Sequence, residues 1–138
     1  MKIMRELDFR IEAKLDRLSH SDLVRFVAGC ACHVLPHFQE VFPNDNRPGN
    51  AIQAAIAFLE GKQSVSECRK RAFDAHAAAR TALTDSARNA ARAAGHAAAT
   101  AHVRNHAKAA LRYALASVFD HEKESRWQWD SFPHDDSE

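Results

Sequence analysis

Four histidines, His76, His96, His102 and His106, stand in a stretch that is otherwise mostly alanine. An imidazole can ligate a metal, move a proton, or hydrogen-bond at both ends, so the spacing decides which chemistry is open. His102 and His106 are four apart, which on a helix separates them by about 40° and one turn. That pair can share a metal or a small ligand. His96 precedes His102 by six residues, about 120° round and roughly 9 Å along a straight helix, and is expected to stand apart from the pair. His76 lies on an earlier helix and can complete a site with His102 and His106 if the two helices pack antiparallel.

The His102–His106 spacing is part of a zinc-hydrolase motif, but Val103 stands where that motif needs its general-base glutamate. No Asp or Glu in the neighbouring turns supplies a further ligand. The expectation is therefore no metal and no cofactor. A metal- or small-ligand-binding helical protein using His76, His102 and His106 is the alternative. The other chemistry is structural: histidines that fill space between small residues and hydrogen-bond across a helix pair. Thr100, four residues after His96, and Arg80, four after His76, belong to that expected polar network. Nucleophilic catalysis has little support. Cys30, Cys32 and Cys68 sit on apolar stripes, no serine has an elbow-like glycine context, and phosphate-loop and dinucleotide motifs are absent. The chain reads as a non-enzyme.

Alanine favours helix more than any other residue and has almost no side chain to bury, so helices rich in it must approach closely. With four glycines and four prolines in 138 residues, the pattern predicts an all-α single domain of about five to seven helices, residues 1–133, followed by a frayed acidic tail, 134–138. Ile3, Leu7, Ile11, Leu15 and Leu18 mark one helix face over about residues 1–18. A second helix starts at a Ser19 or Ser21 cap and runs to about Phe42, kinked at Pro36. The FPNDNRPGN segment is a loop, and a third helix spans about Pro48 to Glu60 with Gly61 as its stop. Ser64 and Glu67 form a capping box for a fourth helix to about Leu83, presenting Val65, Cys68, Ala72, His76, Ala79 and Leu83 inward. Thr84 or Asp85 begins a fifth. Continued to Phe119 it would reach about 50 Å, so a break is expected between His102 and Lys108. The larger apolar residues, Phe38, Val41, Phe73, Leu111, Phe119 and others, are expected in the core. Trp127-Gln-Trp129 is either a clasp closing the bundle or a pair of partner anchors.

The formal net charge of +1 gives no electrostatic case for nucleic acid or an anionic membrane. Arg69-Lys70-Arg71 is a local exception, read as a solvated face. Three cysteines do not suggest a disulfide framework, and Cys30 and Cys32 are expected to be buried thiols. The charged N-terminal stretch is unlike a signal peptide, and no apolar run reaches the roughly 20 residues of a membrane span, so a cytoplasmic protein is expected.

RPGNAI (47–52), AFDAHAAAR (72–80), AARAAGHAAATAHVRNHA (90–107), the AALRYA that follows, and Trp127-Gln128 with Phe132-Pro133 resemble a family of small all-helical bacterial proteins assigned as immunity proteins of polymorphic toxin systems. The resemblance runs from about Asp22 to Pro133. It implies a non-enzymatic inhibitor that binds a cognate protein toxin. The family pattern covers His76, Arg80, His96, His102 and His106. A nearly neutral chain also argues against a broad acidic face that mimics nucleic acid.

Overall fold

The computed structural model describes residues 6–134, and every described element is helical. The elements are α1 (Phe9–Lys14), a 3-10 turn (Leu15–Arg17), α2 (His20–Val34), α3 (Pro36–Gln39), α4 (Arg47–Leu59), α5 (Val65–Thr81), α6 (Asp85–Thr100), α7 (His106–Ser117) and α8 (His121–Ser131). Met1, Ile3 and the 135–138 part of the acidic tail lie outside the described residues.

The ends of the helices follow local chemistry. Ser19 accepts from the Asp22 amide, Ser64 from that of Glu67, and Thr84 from that of Ala87, each satisfying one orphan donor of a first turn. Only half of the expected capping box forms, because the Glu67 carboxylate pairs with Arg71 at 3.1 Å instead of reaching back. Gly61 ends α4 at φ +73°, and the Lys62 amide reaches the Ala57 carbonyl at 2.8 Å. That left-handed turn is where glycine is needed. Pro36 separates α2 from α3 as its missing amide requires.

Two kinds of packing share the interior. Leu23, Phe26, Val27, Val34 and Phe38 of α2 and α3 meet Leu111 and Leu115 of α7 and Phe132 in one large cluster. At the other side, Ala51 of α4, Ala72 and Ala75 of α5, and Ala98 and Ala99 of α6 form a cluster of alanines alone. Helix α6 is buried almost all round, since its alanines leave room for α2, α4, α5 and α7 to close on it.

Several expected core residues lie outside. Phe73 is 70% exposed, Leu83 92%, and Phe119 fully so, while Val41 and Val65 are also exposed. Leu83 falls beyond the end of α5 and Phe119 beyond α7, so neither continues the stripe that sequence spacing gave it. Phe73 lies on the outer face of α5, where no neighbouring helix reaches it. Cys32 is exposed, unlike buried Cys30 and Cys68, because two residues along α2 turns it to the opposite face.

Candidate functional site

Helix α6 stops at Thr100, and α7 begins at His106. The break therefore covers residues 101–105, overlapping the expected window of His102 to Lys108, and it needs neither glycine nor proline. The Thr100 hydroxyl donates back to the His96 carbonyl at 2.8 Å, a bond that competes with the helical ladder. The His102 and Val103 amides both turn onto the Ala99 carbonyl. From α2, His20 Nε2 donates to the Ala101 carbonyl at 2.9 Å, and Arg104 reaches back to the Leu18 carbonyl at 2.9 Å. The chain then reverses.

That reversal corrects the expected histidine geometry. His96 and His106 meet across α6 and α7, Nδ1 to Nδ1 at 3.0 Å. His96 is thus the direct partner of His106, whereas a straight helix would hold it away. His102 lies in the turn rather than on the helix with His106, their ring centroids 6.3 Å apart. His76 of α5 completes the row, its ring edge-on to His96 at 4.8 Å. The four form one chain of rings in the order His76, His96, His106, His102.

Gly95 explains how His76 fits. A Cβ there would stand 2.7 to 2.9 Å from the His76 ring atoms, so glycine alone leaves the ring its seat on α6. Tyr113 stacks on the far side of His96 at 5.2 Å and 7°. Sequence reasoning missed Tyr113, although its position seven residues after His106 places both on one face of a helix. His20 carried no such signal.

Burial is the first cause that lowers the pKa of His76, His96 and His102; Arg92 comes next at His76, the neighbouring His76 and His106 at His96, and Arg69 at His102. His96 falls to about 3, so it is a neutral imidazole at physiological pH. One ring of the His96–His106 pair must then carry its proton on Nδ1 and the other present a lone pair. The Nδ1 atoms of His76 and His102 are buried and find no hydrogen-bond partner. Among the described residues, no three His, Cys, Asp or Glu side chains converge to hold a metal ion. The ligand set His76, His102 and His106 is therefore not assembled; His96 stands between His76 and the other two. Arg80 is exposed and joins the row only through its charge on His76.

Beside His96 and Tyr113 opens a cavity of about 500 Å³ between the 3-10 turn and α7. Arg104, Lys108 and Arg112 rim it at spacings of four. Glu12 already holds two of them, Lys108 at 2.8 Å and Arg112 at 4.0 Å. At the other end of the chain, Trp127 stacks on His33 with centroids 3.6 Å apart, and His33 Nδ1 contacts the buried Glu124 at 2.7 Å. Trp129 lies under Arg10 at 4.2 Å and beside Phe132 at 5.7 Å. Both tryptophans are half-buried and engaged within the chain.

The fold and this row of rings define an all-helical bundle with a partly buried cluster of four imidazoles. Residues 13–135 match the model of the Imm-5 like putative immunity protein family, and the chain belongs to that family. Membership supports an immunity role, with a toxin as the partner in general. Neither a curated protein nor a solved structure matches the chain. Among the described residues no helix is long and apolar enough to cross a membrane.

Proposed function

We propose that this protein is a cytoplasmic bacterial immunity protein that neutralises a cognate toxin of a polymorphic toxin system by binding it, without catalysis. The observation that carries the proposal is the family match over residues 13–135. The site agrees with it. Three of the four clustered imidazoles have lowered pKa values, and Thr100, the hydroxyl nearest them along the chain, is spent on the His96 carbonyl.

In this reading the histidine row with Thr100 shapes the inhibitor, and partner contacts come from the Trp127 region or from a cleft edge near His102 and His106. Residues 1–133 serve as one binding domain, followed by the acidic tail at 134–138. Trp127 and Trp129 enter as anchors through whatever edges the clasp leaves open. The test is to express the reading frame next to this gene in a host cell, alone and with this protein. Arrested growth that this protein restores, with the two proteins co-purifying, is the expected result. Growth arrest unrelieved by its co-expression overturns the proposal. Alanine substitutions at Trp127, Trp129, His102 and His106, read by toxin affinity, then locate the contact.

A further inference from the structure

The outer face of α5 joins an exposed aromatic ring to exposed guanidinium groups. Arg69, Phe73, His76 and Arg80 fall within about 60° of one another around that helix. Arg69 and Arg80 are exposed, and Phe73 is 70% exposed between them. An aromatic ring flanked by guanidinium groups is the mixture that dominates binding energy in protein interfaces.

The charges on this face have no counter-charge. Arg69 and Arg80 form no ion pair among the described residues, and neither does Arg92 on the adjoining α6. Arg80 and Arg92 act together on His76, and Arg69 acts on His102, so the arginines surround the outer ends of the histidine row. The acids of α5 point elsewhere. Glu67 and Asp74 lie about 140–160° round from Arg69; Glu67 is occupied by Arg71, and the charge of Asp74 acts on Arg47 of α4. By contrast, two of the three cations at the α7 cavity, Lys108 and Arg112, already share Glu12. Three arginines without an ion pair therefore gather on α5 and the adjoining α6.

We propose that the Arg69–Phe73–Arg80 stripe, with Arg92 beside it, is the docking surface for an acidic segment of the partner protein, its carboxylates meeting the arginines and an apolar side chain covering Phe73. The partner being a toxin rests on the immunity reading above; the chemistry of the face does not. Carboxylates match guanidinium in bidentate geometry, and the separation of Arg69 and Arg80 along α5 sets the line the segment follows. Arg69-Lys70-Arg71, which the sequence presents as one cluster, divides here: Arg69 serves the stripe while Arg71 is tied to Glu67.

The test uses the full chain, labelled with nitrogen-15, and the synthetic peptide Asp-Glu-Leu-Glu-Asp-Leu with its counterpart Asn-Gln-Leu-Gln-Asn-Leu. The expected result is that amide shifts with the acidic peptide concentrate on residues 69–81 and around Arg92, and that the amide counterpart produces none. Charge reversal in Arg69→Glu/Arg80→Glu weakens binding about tenfold or more, and Phe73→Ala about fivefold. Raising salt from about 50 to about 500 mM weakens the wild type and leaves the reversed variant little changed. Both arginines are exposed, so the fold should survive; should it not, Arg69→Gln/Arg80→Gln carries the same comparison. Shifts that are absent, spread over the whole surface, or centred on the α7 cavity overturn the proposal, as does equal binding by the variants. Peptide binding at α5 without any toxin complex removes the immunity reading alone. A toxin complex indifferent to charge reversal removes the docking face alone.

Discussion

The α2–α3 side of this bundle and the α5–α6 side exclude water by opposite means. On the first, Phe26 meets Phe132 edge-on at 5.1 Å and Phe38 meets Phe42 at 5.1 Å, so large side chains fill the space between helices. On the second, Ala72, Ala75, Ala98 and Ala99 fill almost none, and the helices themselves come together. The His76 ring finds room on the second side because a missing Cβ at Gly95 makes a seat there. One side should therefore fail on truncation and the other on enlargement.

Phe38→Ala gives the largest expected effect. Its side chain is fully buried, and truncation should cost about 3–5 kcal/mol, read from urea unfolding. That approaches the whole stability of a small domain. A loss below about 1 kcal/mol would mean that the large-residue side collapses freely, and the contrast would fail. Ala98→Leu should follow. Ala98 has no exposed surface, and the added atoms must part α6 from α5 at about 1–3 kcal/mol. Unchanged stability there would mean that the alanine side has slack.

Gly95→Ala sets two terms against each other. Alanine improves helix propensity by about 1 kcal/mol, yet its Cβ would sit 2.7 Å from His76 Nε2. The ring is backed by His96 at 4.8 Å and cannot withdraw freely. The net loss should be about 1–2 kcal/mol. In a His76→Ala background the sign reverses, because only the propensity gain is left. The same sign in both backgrounds would break the link between the glycine and the ring.

The difference between the two sides also decides what could be read from the chain. Elements were legible: Ser19, Ser64 and Thr84 cap where capping chemistry places them, and Gly61 stops α4. The all-α class followed from alanine content and periodicity. The site was less legible, because His96 and His106 meet only through a reversal that Thr100, His20 and Arg104 bring about with backbone carbonyls. Local spacing does not contain those long-range bonds. Phe73 misled for a related reason. An apolar residue on a helix fits a core and a docking face equally well, and only the position of neighbouring helices separates the two.

Acid should weaken the alanine side selectively. An imidazole in the unfolded chain takes its proton near 6.5, whereas folded His96 does so at about 3. Between those values the unfolded chain binds the extra proton, so this contribution is complete above about pH 6.5 and fades as pH falls toward 3. His76 and His102 shift in the same direction. From pH 7 to about 5.5, His96 alone should remove about 1 kcal/mol, and His96→Phe, which keeps an aromatic face for Tyr113, should flatten the slope by that amount. Urea titrations at both values read it. An unchanged slope in the variant would place the proton uptake elsewhere.

The smallest effect belongs to the His33–Trp127 stack, which closes α8 on the large-residue side. Its rings lie 4° from parallel, with centroids 3.6 Å apart, a geometry worth about 0.5–1 kcal/mol beyond the area it covers. His33→Ala alone overstates this, because it also strips Glu124 of its partner at 2.7 Å and leaves a buried carboxylate exposed to the full desolvation penalty. A cycle of Trp127→Ala and His33→Ala, repeated in a Glu124→Gln background, separates the two contributions. Coupling that persists in the second background belongs to the stack, and makes Trp127 a clasp whose removal loosens α8. Coupling that vanishes there belongs to the His33–Glu124 contact. Trp127 then contributes little to holding α8, and its exposed edge is free to be selected for a partner.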